Sequence, residues 1–196
     1  MSMRSFVSLR PAAREDATEL ALLTDIASHG FATWLWLTEL GSGSGSDTPM
    51  ERGRQKLRGD DGQGNWRDAV IAEAYGEIAG AAIGYGLDEG IRNIQADRPA
   101  LKPVIDLQQR VIGSWFIGTL GVYSHLRGIG IGRRLLEDQI ERAKTAPVSL
   151  ITASYNEAAL SLYKNNGFSE TARADAVAFF ENGRKHEWVL LTRDAR

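Results

Sequence analysis

The chain has 196 residues, of which 43% are hydrophobic and 24% are charged, and its formal net charge is −2. These values are ordinary for a globular protein, and they predict one domain over residues 1–196 with enough apolar material for its own core. The near-neutral net charge argues against nucleic acid as a partner, because nucleic-acid-binding domains usually carry an excess of basic residues.

The sequence contains no cysteine, which excludes disulfides, cysteine zinc sites and a thiol nucleophile. The three histidines, His29, His125 and His186, lie far apart without helical i, i+4 spacing, so no metal site is expected. The first residues meet charges before any long apolar stretch, and no run of 18 apolar residues occurs. We therefore expect no signal peptide and no membrane span, and a cytoplasmic location.

The first half of the chain predicts a strand, two helices, a long loop and a hairpin. Alternating residues 5–10 indicate the strand, and apolar residues near helical spacing indicate helices over 14–28 and 31–40. Residues 41–65 are rich in Gly, Ser and Asp and predict a loop, with a short helix around 50–57. This loop is either a flexible surface connection or a functional lid. Residues 66–75 and 78–87 predict an antiparallel hairpin around Gly76-Glu77.

The second half of the chain alternates between strand and helix patterns. Residues 99–111 predict an irregular or helical crossover, and residues 114–123 are apolar or small, as in a buried central strand. A helix, a strand and a helix are predicted over 130–144, 148–153 and 156–166, followed by a hairpin around Asn182-Gly183. Helices in the middle and hairpins at both ends predict an α/β (mixed α+β) fold, with a mixed, mostly antiparallel sheet flanked by helices.

The segment Arg127-Gly-Ile-Gly-Ile-Gly-Arg-Arg lies where the buried strand gives way to a helix. Glycine lets the backbone approach a ligand closely and adopt positive φ. The first N–H groups of a helix lack internal partners, and together with the helix dipole they attract anions. Arg127, Arg133 and Arg134 add positive charge around this turn. The segment therefore predicts a bound pyrophosphate.

Other phosphate-binding motifs fit this segment poorly. No GxxxxGK[ST] string exists, and Gly128, Gly130 and Gly132 lack the spacing of GxGxxG. A glycine-rich helix start used only for tight packing is the structural alternative. The pattern Arg-x-x-Gly-x-Gly after a Leu-Gly-Val strand resembles the acyl-CoA motif of the GNAT acetyltransferase superfamily, with Arg127, Gly130 and Gly132 at its three defined positions.

The resemblance implies a V-shaped opening between two central strands, one of them residues 117–122. There the pantetheine arm of acetyl-CoA would pair with the backbone of Leu120, Gly121 and Val122. The residues implied at the pyrophosphate end are Arg127, Gly128, Ile129, Gly130, Ile131, Gly132 and Arg133. The chain departs from the family at Ser124, where proline is frequent, and this changes the local stiffness but not the glycine turn.

A second motif follows in residues 153–168, ASYNEAALSLYKNNGF. Asn156 is a good N-cap, Gly167 is typical of a helix end, and Asn156 and Tyr163 lie about two helical turns apart on one side. Asn156, Ala159, Tyr163, Gly167 and Phe168 match the second GNAT motif, N-x-x-A-x-x-x-Y-x-x-x-G-F. The resemblance implies that Asn156 bonds the pantetheine or pyrophosphate region and that the Tyr163 hydroxyl lies near the cofactor sulfur. The alternative is that Asn156 is only a cap and Tyr163 only a core aromatic.

Acyl transfer to an amine needs a base for the amine, a donor for the oxyanion and a proton for the thiolate. Without cysteine, direct attack in a ternary complex is the simplest route, with a backbone N–H of residues 120–122 as the oxyanion donor. Tyr163, with an ordinary pKa near 10, can protonate a thiolate whose ordinary pKa is near 8.5. Glu73 is the first candidate for the base, because an acid among apolar strand residues needs an explanation. Asp25, Asp106 or a water chain are the alternatives.

The acceptor side is the least determined part of the sequence. Trp34, Trp36, Trp66 and Trp115 are candidates for a pocket wall, although tryptophans at such spacing are usually core. Together the motifs predict a metal-free, acetyl-CoA-dependent N-acetyltransferase acting on a primary amine of a small molecule or peptide. A non-catalytic acyl-CoA sensor on the same fold and another nucleotide binder are the alternatives. Homodimers are common in the family, although no surface here demands one, and neither nucleic acid nor membrane is an expected partner.

Overall fold

The computed structural model describes residues 7–40, 48–179 and 184–195. The strands of this part of the chain are β1 (Val7–Pro11), β2 (Ala69–Ala74), β3 (Glu77–Gly86), β4 (Trp115–Val122), β5 (Val148–Ala153), β6 (Ser169–Asp175) and β7 (Glu187–Arg193). Its α-helices are α1 (Ala17–Ala27), α2 (Phe31–Glu39), α3 (Pro49–Arg58), α4 (Lys102–Gln109), α5 (Ile131–Arg142) and α6 (Glu157–Asn165). Within the described residues, the helices and strands predicted up to residue 166 are present, with shifted ends except for β5.

The strands form one sheet in the order β1-β2-β3-β4-β5-β7-β6. The pairs β1/β2, β2/β3, β5/β7 and β6/β7 are antiparallel, whereas β4 and β5 are parallel. The predicted mixed, mostly antiparallel sheet is therefore confirmed. The parallel ladder is short, because it ends at the pair Ile117↔Leu150 while β4 continues to Val122 and β5 to Ala153.

The chain divides into two compact units. The first unit comprises Met1–Gly84 and Thr119–Gln139, and the second comprises Tyr85–Gly118 and Ile140–Arg196. Both units are discontinuous in sequence, and β4 and α5 each contribute to both of them. The prediction of one domain over residues 1–196 stays a prediction.

In the first unit, apolar side chains fill both faces of the sheet. Successive strand residues point to opposite faces, and in β2 Ile71 clusters with Leu20 of α1, whereas Val70 clusters with Leu135 of α5. Helices α1, α2 and α3 therefore cover one face and α5 covers the other. This burial on both faces explains why β2 and β3 read as nearly continuous apolar runs.

In the second unit, the middle of β7 is deeply buried. Val189, Leu190 and Leu191 are at most 1% exposed, and α4 lies against β6 and β7. The hydroxyls of Ser114 and Ser149 hydrogen-bond to each other at 2.6 Å, which satisfies two polar groups inside the core.

The first predicted hairpin is present, but two details differ. Its first strand begins at Ala69 and not at Trp66, because the Asn65 side chain accepts the N–H of Arg67 at 3.0 Å and holds residues 66–68 in a 3-10 turn. The turn residues are Tyr75 and Gly76, with φ of 55° and 84°, and not Gly76 and Glu77. Positive φ at both central positions is the turn geometry that suits the twist of a two-residue hairpin.

The predicted loop over 41–65 contains the expected short helix, α3. Thr48 caps α3 by accepting the N–H of Glu51 at 3.2 Å, and Pro49 occupies the first turn, where its missing N–H does no harm. Residues 41–47 lie outside the described chain, and the lid hypothesis stays untested. Asn182 and Gly183 also lie outside it, whereas β6 and β7 on either side pair antiparallel as expected for a hairpin.

Candidate active site

The glycine turn between β4 and α5 is built by positive backbone angles. Gly128 and Gly130 have φ of 82° and 92°, which favour glycine, and both are exposed. A methyl group added at either position would meet no other atom within 4 Å. Tight packing therefore does not explain these two glycines, and open space lies over the backbone at both.

Helix α5 begins directly after this turn. The N–H of Arg134 donates to the carbonyl of Gly130 at 3.1 Å, which is the first i to i−4 bond of the helix. The N–H groups of Ile131, Gly132 and Arg133 precede that bond and therefore have no acceptor within the helix. Unpaired N–H groups at the positive end of a helix dipole attract anions, and the binding of a pyrophosphate at this turn stays a prediction.

The three arginines near the turn differ in their contacts. Arg127 is exposed, and its Nε donates to the carbonyl of Val122 at 2.9 Å, which holds the guanidinium at the turn. No carboxylate among the described residues pairs with Arg127. Arg133 pairs with Glu137 one helical turn further on at 2.8 Å, and Arg134 donates to the carbonyl of Val7 in β1. Whether Arg133 and Arg134 add positive charge for an anion at this turn stays a prediction.

The end of β4 lies against the backbone of α1. A methyl group added at Gly121 would lie 2.6 Å from the carbonyl oxygen of Leu23, and one added at Gly80 would lie 2.5 Å from the carbonyl oxygen of Gly121. Gly121 is therefore required by close packing, whatever its part in binding a ligand. Its neighbour Leu120 is half-buried.

A polar contact that the sequence patterns did not indicate joins α1 to the residue after β4. The Tyr123 hydroxyl donates to the Glu19 carboxylate, and Thr24 and Thr119 bring their hydroxyls within 3.3 Å. Burial and the adjacent carboxylate both raise the pKa of Tyr123, so its hydroxyl stays protonated as a donor. Only the tertiary packing of α1 on β4 brings these groups together.

The second motif forms the start of α6. The Asn156 Oδ1 accepts the N–H of Ala159 at 3.3 Å, which makes Asn156 the N-cap, and its Nδ2 lies 3.4 Å from the Thr152 hydroxyl. Gly167 ends the helix with φ of 85°. The predicted cap and helix end are confirmed, whereas a contact of Asn156 with a cofactor stays a prediction.

Tyr163 on α6 is only 7% exposed, and its ring packs on Phe168 with the ring centroids 5.9 Å apart. Burial raises the pKa of Tyr163 to about 12. The hydroxyl forms no hydrogen bond within the described part of the chain. The raised pKa keeps the phenol protonated at neutral pH, and its proximity to a cofactor stays a prediction.

Each of the three carboxylates considered as a base has a partner. Glu73 accepts from the Arg10 Nε at 2.7 Å, and this ion pair explains an acid in an apolar strand without a catalytic role. Asp106 pairs with Lys102 at 2.7 Å on an exposed face, and Asp25 accepts the N–H of Thr33 at 2.9 Å. The assignment of Glu73 as the base stays a prediction.

The tryptophans differ in their surroundings. Trp36 is 5% exposed and lies directly against Gly53 of α3, so its environment is that of a core residue. Trp34 is half-buried and stacks on Phe31 at 5.4 Å, and Arg67 covers the ring of Trp66 at 5.3 Å. Trp115 is half-buried in β4. A part for any of them in an acceptor pocket stays a prediction.

The described residues contain neither a cluster of metal-binding side chains nor a helix that could span a membrane. No three His, Asp or Glu side chains among residues 7–40, 48–179 and 184–195 are grouped so that they could hold a metal ion. None of the helices in these ranges combines the length and the apolar composition that crossing a bilayer requires.

The described residues thus form a mixed sheet in which a strand leads through an open glycine turn into the N-terminus of a helix. The model of the acetyltransferase (GNAT) family matches residues 29–168, more than half of the chain. The chain therefore belongs to the GNAT family of acetyltransferases. Comparison with curated proteins gives no significant match.

Solved structures share this fold. An N-acetyltransferase from Staphylococcus aureus Mu50 is 22% identical with a TM-score of 0.64, covering 94% of this chain and 99% of that chain. The yncA protein of Salmonella typhimurium, solved with its cofactor acetyl-CoA, is 18% identical with a TM-score of 0.58, covering 97% and 94%. The ribosomal-protein-S18-alanine N-acetyltransferase of Escherichia coli is 16% identical with a TM-score of 0.57, covering 95% and 92%.

Proposed function

We propose that this acetyltransferase moves the acetyl group of acetyl-CoA to a primary amine by direct attack in a ternary complex. The observation that carries the proposal is the turn at Gly128 and Gly130, open above the backbone and followed by free helix N–H groups beside Arg127. A diphosphate fits that combination of donors and charge. Acetyl-CoA in the yncA structure supports the choice of cosubstrate.

The pantetheine arm would extend from the diphosphate along β4. The ladder between β4 and β5 ends at Ile117, so the strand from Gly118 to Val122 continues beyond its pairing with β5. An extended amide chain can add to such a strand by backbone hydrogen bonds. A backbone N–H of Leu120, Gly121 or Val122 is then the donor for the oxyanion that develops on the thioester carbonyl.

Tyr163 would supply the proton for the leaving thiolate. With a tyrosine pKa of about 12 and an aqueous thiol near 8.5, complete transfer is uphill by about 5 kcal/mol at 1.36 kcal/mol per pK unit. Burial of the sulfur also raises the pKa of the thiol, which reduces the difference between the two pKa values. Tyr163 therefore acts first as a hydrogen-bond donor to the charge that develops on sulfur, and the proton follows as the carbon–sulfur bond breaks.

The acceptor is an amine of a small molecule or a peptide. One solved structure of this fold is the ribosomal-protein-S18-alanine N-acetyltransferase of Escherichia coli, so protein amines belong among the candidates. Attack needs the neutral amine, and Glu73, although paired with Arg10, is one candidate for the base that takes its proton.

The test follows thiol release from acetyl-CoA in the presence of amino acids, polyamines, aminoglycosides and peptides with a free N-terminus. We expect release with one class and a loss of about 10² to 10⁴ in rate for Tyr163→Phe. Tyr75→Phe, at the exposed hairpin tip, is the matched control and should keep full activity. Release that Tyr163→Phe leaves unchanged would remove Tyr163 from the mechanism. Tight acetyl-CoA binding without release for any amine would favour the acyl-CoA sensor.

A further inference from the structure

The segment that joins β4 to the glycine turn, residues 123–127, is anchored on both faces of the sheet within the first unit. Tyr123 packs on the apolar cluster that contains Leu20 of α1. Leu126 belongs to the cluster that contains Leu135 of α5, on the opposite face. The two residues between these anchors are exposed. The position of this connecting segment therefore depends on how firmly its two anchors are held.

Backbone hydrogen bonds make the glycine turn follow the position of Tyr123. The N–H of Tyr123 donates to the carbonyl of Ala79 in β3 at 3.0 Å. The Tyr123 carbonyl accepts the N–H of Leu126 at 3.0 Å, and the carbonyl of Ser124 accepts the N–H of Arg127 at 3.4 Å. Arg127 directly precedes the first glycine of the turn. A displacement of Tyr123 is therefore transmitted to the turn.

The Tyr123 side chain links the connecting segment to α1, because its hydroxyl donates to the Glu19 carboxylate. Both residues are half-buried, and a hydrogen bond to a charged group is about twice as strong as one between neutral groups. Burial and the adjacent carboxylate raise the pKa of Tyr123, so the hydroxyl keeps its proton and donates throughout the neutral range. Without this bond, packing contacts would hold the ring, and those do not fix a direction as a hydrogen bond does.

We propose that the hydrogen bond between Glu19 and Tyr123 is a positioning contact, which holds the glycine turn in its diphosphate-binding conformation before the cosubstrate binds. The proposal rests on the proposed function, in which the diphosphate of acetyl-CoA occupies the turn at Gly128 and Gly130. Glycine loses more conformational freedom on ordering than any other residue, and a ligand that has to order its own site binds more weakly. Glu19 and Tyr123 lower this cost through the connecting segment, without touching the cosubstrate themselves.

The first experiment measures acetyl-CoA affinity by isothermal titration calorimetry in variants that remove either end of the bond. The apparent affinity is divided by the fraction of protein in the competent conformation, so we expect Tyr123→Phe to bind about 3- to 10-fold more weakly. Glu19→Ala should lose as much, and the double variant should lose no more than either single one. Glu19→Gln keeps an oxygen that can accept from the hydroxyl, and it should lose less.

A substitution at Ser124 offers a rescue by a second route. Tyr123 has φ of −57° and ψ of 139°, the extended conformation that a residue before proline prefers. Ser124 begins a 3-10 turn, where proline fits, and its N–H donates to no acceptor in the described part of the chain. Ser124→Pro therefore stiffens the connecting segment without removing a hydrogen bond. In the Tyr123→Phe background it should restore most of the lost affinity.

The chain contains a matched control on the same helix. The hydroxyls of Thr24 and Thr119 lie 3.3 Å apart, also between α1 and β4. This contact precedes the connecting segment, so Thr24→Val should leave acetyl-CoA affinity unchanged. A loss equal to that of Tyr123→Phe would show that the general docking of α1 matters and not the position of Tyr123, and it would overturn the proposal.

A second measurement uses the protein without ligand. Hydrogen exchange of the Leu126 amide, followed by NMR, reports the order of the connecting segment, because that N–H bonds the Tyr123 carbonyl. We expect its exchange to be about 3- to 10-fold faster in Tyr123→Phe and to slow again after Ser124→Pro is added. The amides of β2, a strand paired on both sides, are the reference for global stability. Unchanged exchange of the Leu126 amide would overturn the proposal.

A third measurement separates positioning of the turn from a part in the chemistry. S-acetylpantetheine carries the thioester but no diphosphate, so it cannot occupy the glycine turn. With the amine class that gives thiol release, Tyr123→Phe should raise KM for acetyl-CoA at unchanged kcat and leave kcat/KM for S-acetylpantetheine as in the wild type. A lower kcat at saturating acetyl-CoA, or an equal loss with both thioesters, would contradict a role at the diphosphate.

The outcomes distinguish this inference from the proposed function. If the wild type does not bind acetyl-CoA, the proposed function fails, and the positioning role fails with it. If the wild type binds acetyl-CoA and releases thiol, but Tyr123→Phe and Glu19→Ala bind it as tightly, only the positioning role fails.

Discussion

Replacing Gly130 with alanine separates the backbone requirement of the glycine turn from its part in binding acetyl-CoA. The chain offers a matched control at Gly76, the tip of the β2–β3 hairpin. The two glycines have φ of 92° and 84°, and a methyl group at either would meet no other atom within 4 Å. Alanine at both positions therefore suffers the same backbone strain and no clash in the free protein.

The expected loss of stability and the expected loss of acetyl-CoA affinity have different physical causes. A left-handed backbone costs alanine about 1–2 kcal/mol, so both variants should lose that much stability against unfolding. At Gly130 the methyl group also projects into the open space where the diphosphate would approach. Loss of a hydrogen bond to a charged group is worth about 1.5–3 kcal/mol, which corresponds to about 10- to 150-fold weaker binding at 1.4 kcal/mol per tenfold.

The assays are urea unfolding for stability and isothermal titration calorimetry for acetyl-CoA affinity. We expect equal losses of stability in the two variants and a loss of affinity in Gly130→Ala alone. Unchanged affinity in Gly130→Ala would show that the diphosphate does not lie on this turn. If Gly76→Ala lowered the acetyl-CoA affinity as much as Gly130→Ala, backbone strain anywhere in this unit would be the cause of the weaker binding.

Two further substitutions test the packing and the ion pairs. Asp16→Asn should cost about 2–3 kcal/mol at pH 7, because the buried carboxylate accepts two bonds from a guanidinium. These bonds lower the pKa of Asp16 below its unfolded value, so the difference from wild type should shrink as the pH falls below about 4. Glu89→Gln, at an exposed pair, should change stability by less than about 1 kcal/mol. Gly53→Ala should lower the free energy of unfolding, measured in urea, by up to about 2 kcal/mol, because a methyl group would lie 2.5 Å from the Trp36 ring. Overpacking costs about 1–3 kcal/mol, which exceeds the gain of about 1 kcal/mol from the higher helix propensity of alanine. Gly86→Ala, with open space around it, should not destabilise, and a loss there would contradict the steric argument.

Structural features that depend only on residues close together in the chain were predicted correctly from the sequence. The strand over residues 148–153 has the predicted bounds, Asn156 caps the helix that follows, and Gly128 and Gly130 take positive φ at a strand-to-helix turn. Each of these features depends on neighbours within a few residues, through a cap, a glycine or an apolar run.

The ends of elements were less well predicted where a side chain competes with the backbone. The Asn65 side chain binds the N–H of Arg67 and delays the start of β2, and Tyr75 adopts positive φ although it is not glycine. Sequence patterns do not indicate which of several competing local hydrogen bonds will form, because their free energies differ by only about 1 kcal/mol.

The sequence by itself determined the family motif, the order of helices and strands and the glycine turn, since these depend on spacing along the chain. Only the tertiary structure decided what the isolated polar residues do. Arg10 pairs with Glu73 across two strands, and Glu19 accepts a hydrogen bond from Tyr123 between a helix and the residue after a strand. Each of these environments is made by residues far apart in the chain, so the charge and the hydrogen bonding of such a group are set by packing and not by its sequence neighbours.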